Sequence, residues 1–177
     1  MLARVGRHKI RLMRIVPDKG VTLLELCFGL ALVAVLAGLA APGFHASLRA
    51  GAIRTAAYEL MAGVQQTRAN SIVESRPGVL CASDPAGRCL PADAPAYAWS
   101  SFLEAGGQPL DLTAHALPRG VVLRATRAPI RFWPSALAAS TATLTICDER
   151  GFARARAIVI SQSGRARFAA PANAECG

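Results

Sequence analysis

Residues 19–42 read KGVTLLELCFGLALVAVLAGLAAP, and this stretch specifies the structure of the N-terminal part of the chain. The run from Val21 to Ala41 contains one ionisable side chain that is costly in lipid, Glu25. As an α-helix, a run of this length rises about 1.5 Å per residue and reaches roughly 30 Å, the thickness of the hydrocarbon core of a bilayer. The pattern therefore predicts a transmembrane helix over residues 21–41.

The flanks of the apolar run differ in charge. Residues 1–20 carry six basic side chains against one acid, and no basic residue follows the run immediately. This asymmetry predicts that the N-terminus stays cytoplasmic and that the rest of the chain lies outside the inner membrane. The alternative is an ordinary secretory signal, cut after a small-residue site such as Gly38-Leu39-Ala40. The long basic region, the full bilayer length of the run and the position of Glu25 argue against that alternative.

The composition limits the classes of protein to consider. The chain has 177 residues, of which 53% are hydrophobic and 18% charged. These values exclude a disordered polar chain and a collagen-like or low-complexity one, and the length suits one domain with an appendage. The net charge of +9 is concentrated in two blocks, +5 over residues 1–20 and +6 over residues 119–177. An apolar and basic chain suggests a membrane or a polyanion as partner.

The segment Lys19-Gly20-Val21-Thr22-Leu23-Leu24-Glu25 resembles the prepilin peptidase site of type IV pilins and pseudopilins. The resemblance implies that prepilin peptidase cuts on the cytoplasmic side after Gly20 and that the new N-terminus, Val21, is methylated. Glu25 matches the near-universal glutamate of this family, and Pro42 matches its helix-kinking proline. Val21 departs from the phenylalanine that is usual at this position.

The position of Glu25 has a physical interpretation. After cleavage the free amine of Val21 is a cation at the membrane edge, and an unpaired carboxylate in lipid is costly. We therefore expect Glu25 of one subunit to pair with the amine of the next, so that filament assembly satisfies both charges. The alternative is a glutamate that extends to the membrane interface without a partner.

A second helical pattern follows Pro42. Ile53, Ala57, Leu60 and Val64 recur at helical spacing, and the pattern runs to about Val73 before Arg76-Pro77-Gly78 stops it. Together the two stretches predict one kinked helix of about 50 residues, roughly 75 Å long.

Short runs of β-forming residues, separated by Pro, Gly, Ser and Asp, follow from Val79 onward. The predicted strands are Val79–Ala82, Tyr97–Phe102, Val121–Ala125, Ile130–Trp133, Thr143–Cys147, Ala155–Ser161 and Arg165–Ala169. The predicted fold is α+β, a long N-terminal helix packed on an antiparallel β-sheet or sandwich. The predicted organisation is a leader (1–20), a transmembrane and assembly helix (21–41), its amphipathic continuation (42–76) and a β-rich periplasmic head (77–177).

The five cysteines divide into one and four. Cys27 lies in the apolar run, where it reads as a small apolar residue. The other four lie in the part assigned to the oxidising periplasm, where disulfides form. Four cysteines allow three pairings, which the sequence does not distinguish. The most local pairing joins Cys81 to Cys89 and Cys147 to Cys176.

Motifs of known catalytic or cofactor chemistry are absent from the sequence. It has no GxSxG, P-loop, HExxH or GxGxxG motif, and His115 reads as a loop residue. The cysteines form no CxxC pair that would suggest zinc. We therefore expect no enzyme, no cofactor and no metal site.

The segment from Arg154 to Phe168 predicts a basic β-hairpin, a strand, a Ser-Gly turn and a second strand. Side chains two residues apart share a face of a strand, so Arg165 and Arg167 form one pair and Arg154 and Arg156 another. Four guanidinium groups on one hairpin could bind successive phosphates of DNA without reading its sequence. The alternative is an ordinary solvated hairpin.

The N-terminal segment, a mostly β head, a late cysteine pair and a C-terminal Gly-Arg-x-Arg together resemble the GspH/FimT family of minor pseudopilins. The resemblance implies a subunit in the tip complex of a type IV pilus or of a type II secretion pseudopilus, with other pilin subunits as partners. In the FimT branch the Gly-Arg-x-Arg motif, here Gly164, Arg165 and Arg167, is implicated in binding double-stranded DNA during natural transformation. The alternatives are a type II secretion pseudopilin acting in protein export and a soluble periplasmic binding domain.

Overall fold

The structure is a computed structural model that describes residues 20–135, 138–148 and 151–170, without the side chains of residues 40–42, 45 and 151–154. One helix precedes eight strands. The elements are α1 (Leu23–Val73), β1 (Gly78–Ser83), β2 (Ala98–Ala105), β3 (Gln108–Ala116), β4 (Val121–Ala125), β5 (Ile130–Phe132), β6 (Ala142–Asp148), β7 (Gly151–Ile160) and β8 (Ala166–Ala169). Residues 1–19 of the predicted leader lie outside the described part.

The chain divides at Pro42–Gly43 into two units, which are described separately. In the first unit, α1 begins at Leu23 and its large apolar side chains are exposed. Within the described residues, no helix meets the combined requirement of length and apolar composition for crossing a membrane. The helix assignment continues through Pro42, whose predicted kink stays a prediction.

α1 ends at Val73, as the sequence pattern predicts. The chain leaves the helix through Ser75, whose φ of 51° is in the left-handed region, and the N–H of Arg76 donates to the carbonyl of Ser71 at 3.2 Å. This arrangement is the Schellman type of helix termination, in which a residue with positive φ directs the chain away. Pro77 then follows, and it cannot continue the helix.

The strands of the second unit form two antiparallel sheets of four strands each. The strand order is β3-β2-β1-β5 in the first sheet and β4-β6-β7-β8 in the second. Each of the seven predicted strands overlaps one of the observed strands. The predicted α+β fold, a long helix packed on antiparallel sheets, is confirmed.

Strand β3 was not predicted, and it corrects the assignment of His115 to a loop. Its sequence, QPLDLTAHA, lacks the alternation of β-branched residues that marks a strand. The strand forms because Gly106 and Gly107, both with positive φ, make a two-residue turn that pairs Ala105 with Gln108. A Gly-Gly pair is a strong hairpin signal, and it is the signal that could have revealed β3.

One hydrophobic core joins the helix to both sheets. Its helical part includes Ile53, Leu60 and Val64, and its strand part includes buried side chains of both sheets such as Leu80 and Ile158. The core residues all lie between Ile53 and Ile160, within the unit that begins at Gly43. We therefore expect residues 43–177, called the head below, to fold without the N-terminal helix.

A disulfide joins Cys81 to Cys89, with the Cα atoms 5.5 Å apart. Asp84 organises the loop between them, because its carboxylate accepts hydrogen bonds from the backbone N–H of Arg88 at 2.9 Å and from its Nε at 2.8 Å. The backbone N–H of Arg88, then its side chain, hold the pKa of the Asp84 carboxyl below its usual value. Cys147 is buried in β6, and its predicted partner Cys176 lies outside the described residues.

Candidate functional site

The segment around the predicted cleavage site begins the helix. Gly20 and Val21 are exposed and not helical, and Thr22 directly precedes α1. The Oγ1 of Thr22 accepts a hydrogen bond from the backbone N–H of Glu25 at 3.2 Å. Thr and Glu at this spacing correspond to a capping box, in which the threonine caps the first turn. Glu25 is thereby fixed in the first turn of α1, with its carboxylate in solvent.

The turn of the predicted basic hairpin lies between β7 and β8. The N–H of Gly164 donates to the carbonyl of Ser161 at 2.8 Å, and the N–H of Ser161 donates to the carbonyl of Arg165 at 3.0 Å. Gly164 has a φ of 73°, as a three-residue hairpin loop with a glycine in the left-handed region requires. The turn therefore holds Arg165 at the start of β8.

The hairpin packs along α1. Phe168 of β8 meets Tyr58 of α1 edge to face, with ring centroids 5.2 Å apart. At the turn, a Cβ added to Gly164 would lie 3.0 Å from the Nε of Arg68. Two contacts ten residues apart on the helix show that β8 runs beside α1 and that Gly164 lies under the side chain of Arg68.

The strand register separates the predicted arginines into two faces. Arg167 pairs with Val159, whereas Arg156 of β7 shares its face with the buried Ile158 and Ile160. Because neighbouring residues of a strand point to opposite faces, Arg156 and Arg167 lie on opposite faces of the sheet. The predicted arginines lie on one hairpin, but Arg156 is on the face opposite to Arg167 and does not extend the surface of Arg165 and Arg167. The side chain of Arg154 lies outside the described residues.

Arg165 and Arg167 remain together at the tip of the hairpin and are called the hairpin arginines below. Both are exposed, and within the described residues neither forms a salt bridge. The register also places Arg124 of β4 on the face of Arg167, three strands away and two residues along, at a distance of about 16 Å. The Nη1 of Arg124 donates to the carbonyl of Asp93 at 3.2 Å, so that this arginine already has a partner.

A groove of about 850 Å³ lies between α1 and the β2–β3 hairpin. Trp99 and Gly63 meet on one side of it, and the His115 ring stacks on Trp99 with centroids 4.1 Å apart. Three carboxylates line the groove, those of Glu59 and Glu74 on α1 and of Asp111 on β3, and they are called the groove acids below. Sequence reasoning missed this groove because it depends on β3.

Strand β3 forms the outer edge of the first sheet. It pairs with β2 on one side, and all nine of its residues are exposed. Asp111 has a φ of 55° and sits beside the irregularity in the pairing of β2 with β3. Such a break limits the pairing of an exposed edge with other strands. The side chains of β3 are therefore accessible at the groove, and the bulge near Asp111 interrupts the row of backbone groups along the edge.

Comparisons with known proteins agree on the fold. A family model described as type II transport protein GspH matches residues 56–164. The type IV minor pilin FimU of Pseudomonas aeruginosa is similar in structure, with a TM-score of 0.54 and 21% identity over 71% of this chain and 95% of that one. The minor pseudopilin EpsH of the type 2 secretion system of Vibrio cholerae has a TM-score of 0.52 and 12% identity, over 67% of this chain and 97% of that one.

These findings carry different weight. A comparison with curated proteins finds no match. At the identities of FimU and EpsH, structural similarity shows a shared fold. The family model, in contrast, matches more than half of the sequence and includes the last third of α1 and the turn at Gly164. The chain therefore belongs to the GspH family of pilin-like proteins.

Proposed function

We propose that this chain is a minor pilin or pseudopilin subunit that prepilin peptidase cuts after Gly20 and that packs into a filament through the N-terminal part of α1. One observation supports the proposal above all others. Ten large apolar side chains between Leu23 and Leu39 are each at least 56% exposed. Burying such a side chain contributes about 1.5–3 kcal/mol, so this helix gains stability from any apolar surroundings. Neighbouring helices of the same kind supply them in a filament.

Glu25 directs the packing in this proposal. Its carboxylate has no salt-bridge partner among the described residues, and Thr22 fixes its backbone in the first turn. Pairing with the Val21 amine of the neighbouring subunit satisfies both charges away from water. The register of the pairing sets the axial position of one subunit against the next.

Replacing Glu25 by Ala tests the assembly role. We expect normal cleavage after Gly20, seen as an N-terminus at Val21, together with loss of the subunit from sheared filaments. Glu25→Gln is the matched control for shape, and it should fail in the same way because it also lacks the charge. Normal incorporation of both variants would contradict the proposed pairing. An N-terminus at Ala41 in the parent chain would instead indicate ordinary signal cleavage.

Before assembly, we expect residues 21–41 to lie in the inner membrane, with the leader in the cytoplasm and the head in the periplasm. This part of the proposal comes from the sequence, in which basic residues precede the apolar run. Alkaline phosphatase fused after the head is active only in the periplasm, and it should be active here. Inactive fusions that accumulate at normal levels would contradict the orientation.

A second candidate function is binding of double-stranded DNA by the hairpin arginines, which are exposed and form no salt bridge with any described residue. Guanidinium groups bind phosphate through two parallel hydrogen bonds. Because no base-reading element is evident, binding should be independent of sequence and strongly weakened by salt.

Mobility-shift titration of the head against a random-sequence DNA duplex tests this candidate. Loss of two phosphate contacts in Arg165→Gln/Arg167→Gln should reduce the slope of log K against log salt by about 2. Arg119→Gln/Arg127→Gln removes the same charge from two exposed positions outside the hairpin and should bind more tightly than the hairpin variant. Equal binding by the two double variants would contradict a role of the hairpin.

The alternative system is type II secretion, which the description of the matching family model favours. Deletion of the gene distinguishes the two systems, because a pilus subunit for DNA uptake affects transformation and a secretion subunit affects export. We propose the pilus-like filament as the primary assignment. Normal transformation with impaired export in the deletion strain would reverse it.

A further inference from the structure

The groove and the hairpin lie on different flanks of α1. Gly63 and Gln66 of α1 line the groove, whereas Tyr58 and Arg68 contact the hairpin. Residues of an α-helix follow one another at about 100°, which separates the two sets by about 150° around the helix axis. The helix therefore stands between the two surfaces, and a chain cannot place its own hairpin in its own groove.

The two surfaces carry opposite charges. Among the described residues, those that line the groove include the three groove acids and neither arginine nor lysine. No salt bridge of the described residues involves a groove acid or a hairpin arginine, whereas Arg131 pairs with Glu104 and Arg88 with Asp84 elsewhere on the head. Unpaired charges of opposite sign on separate surfaces are complementary between molecules.

The groove also has the size and openness that a docking surface needs. Its volume of about 850 Å³ lies within the range of pockets that bind drug-sized molecules, which is enough space for the tip of a side chain such as arginine. One wall is β3, whose nine residues are all exposed, and the stacked rings of Trp99 and His115 line the same side. Guanidinium groups pair with carboxylates, and the three groove acids are exposed. The charge of the groove therefore suits arginine.

We propose that the groove binds the arginine-bearing tip of the β7–β8 hairpin of a second copy of this chain. Each head then donates its hairpin to one neighbour and accepts the hairpin of another. Such a head-to-tail contact is heterologous, and it repeats along an open assembly unless the rotation closes it into a ring. The inference rests on the proposed assembly function and adds to it a contact between heads.

Self-association of the head tests the proposal directly. Sedimentation velocity of residues 43–177 over a concentration series should show association in about 20 mM salt that weakens in about 500 mM salt. The groove variant Glu59→Gln/Asp111→Asn and the hairpin variant Arg165→Gln/Arg167→Gln should each raise the dissociation constant about tenfold. A parent head that stays monomeric in low salt overturns the proposal.

Mixing the two variants provides the decisive measurement. The groove variant keeps an intact hairpin, and the hairpin variant keeps intact groove acids, so the mixture should form a one-to-one pair at the affinity of the parent. Pairs that stop at two molecules are expected, because the remaining groove and hairpin are both neutralised. A mixture that associates no better than its separate components overturns the head-to-tail contact even if the parent self-associates.

Two controls keep the outcome specific. Asp93→Asn and Arg127→Gln each remove one exposed charge outside both surfaces, and they should leave association unchanged. Thermal unfolding of every variant verifies that its fold is intact. If Asp93→Asn weakens association as much as Glu59→Gln does, the effect follows net charge and the groove has no role.

The DNA-binding proposal and the head-association proposal can be tested independently of each other. The groove variant should bind a DNA duplex as tightly as the parent head does, because it retains the hairpin arginines. Loss of association in the correctly folded groove variant supports the inference whether or not the parent head binds DNA. Free duplex should also dissociate the parent assembly, since DNA and the groove compete for the same arginines, and assembly unaffected by bound duplex contradicts that shared use.

Discussion

Replacing Gly63 by Ala separates the intrinsic preference of the helix from its packing. Alanine is about 1 kcal/mol more favourable than glycine in the interior of a helix. At position 63, however, an added Cβ would lie 2.2 Å from Cη2 and 2.5 Å from Cζ3 of Trp99. These distances are shorter by about 1 Å or more than an ordinary carbon contact of about 3.5 Å. Either the ring or the helix must therefore move.

The size of the destabilisation depends on how far the Trp99 ring can move away from the helix. The residue is 3% exposed, and its ring stacks on His115 at a centroid distance of 4.1 Å, so movement disturbs both the core and the stack. Overpacking a core costs about 1–3 kcal/mol, and an aromatic pair contributes about 0.5–1.5 kcal/mol. After subtraction of the helix preference of about 1 kcal/mol, Gly63→Ala should destabilise the head by about 1–3 kcal/mol.

Urea unfolding of the head at pH 7 measures this free energy, with Gly51→Ala as the matched control. Gly51 lies in the same helix, and nothing surrounds its added Cβ within 4 Å. The control should therefore stabilise the head by up to about 1 kcal/mol. The two substitutions are chemically identical, so a difference in sign between them isolates the contact with Trp99.

A double-mutant cycle with Trp99→Leu completes the measurement. In the background with the smaller side chain, Gly63→Ala should lose most of its penalty, with a coupling free energy of about 1–3 kcal/mol. Stabilisation by Gly63→Ala equal to that of Gly51→Ala would contradict the predicted steric conflict, because it would show that the Trp99 ring moves at no cost.

Three further predictions concern the turns of the head. Gly164→Ala should lower stability by about 1–2 kcal/mol in urea unfolding, because its φ is 73° and Arg68 lies over the new Cβ. Ser75→Gly should raise stability by about 0.5–1 kcal/mol in the same assay, since φ at this position is 51°. Asp84→Asn should lower the melting temperature at pH 7. The effect should decrease as the pH falls through the lowered pKa of the Asp84 carboxyl in the folded head. The stabilisation by Arg88 is present above the unfolded pKa of about 3.9 and is lost below the pKa of the folded state.

Much of the fold follows from local patterns in the sequence. The apolar spacing from Ile53 to Val64 places the core face of the helix, and Arg76-Pro77-Gly78 marks its end within a few residues. The strands that were predicted are rich in β-branched and aromatic residues, and most of them are buried on at least one face. Local composition is enough to predict a helix or strand where that element buries a regular apolar face.

The candidate sites depend on pairing between elements, which local patterns do not contain. β3 is specified by the Gly106–Gly107 turn and by β2 rather than by its own composition, so the groove that it forms was not predicted. The faces of the arginines depend on the register of β7 with β8. Arg156 and Arg167 share a hairpin in the sequence, but the three-residue loop places them on opposite faces.

The position of α1 gives the charge distribution a structural reason. Opposite charges that share one surface pair within the chain, as Arg88 does with Asp84 at 2.8 Å. The helix separates the groove acids from the hairpin arginines, and within the described part of the chain none of them forms a salt bridge, so a neighbouring copy can provide the partner. Glu25 follows the same logic in the N-terminal unit, where no described residue forms a salt bridge with its carboxylate. In both proposals water solvates these exposed charges in the isolated subunit, and assembly gives them partners of opposite sign, which makes the contact between subunits specific.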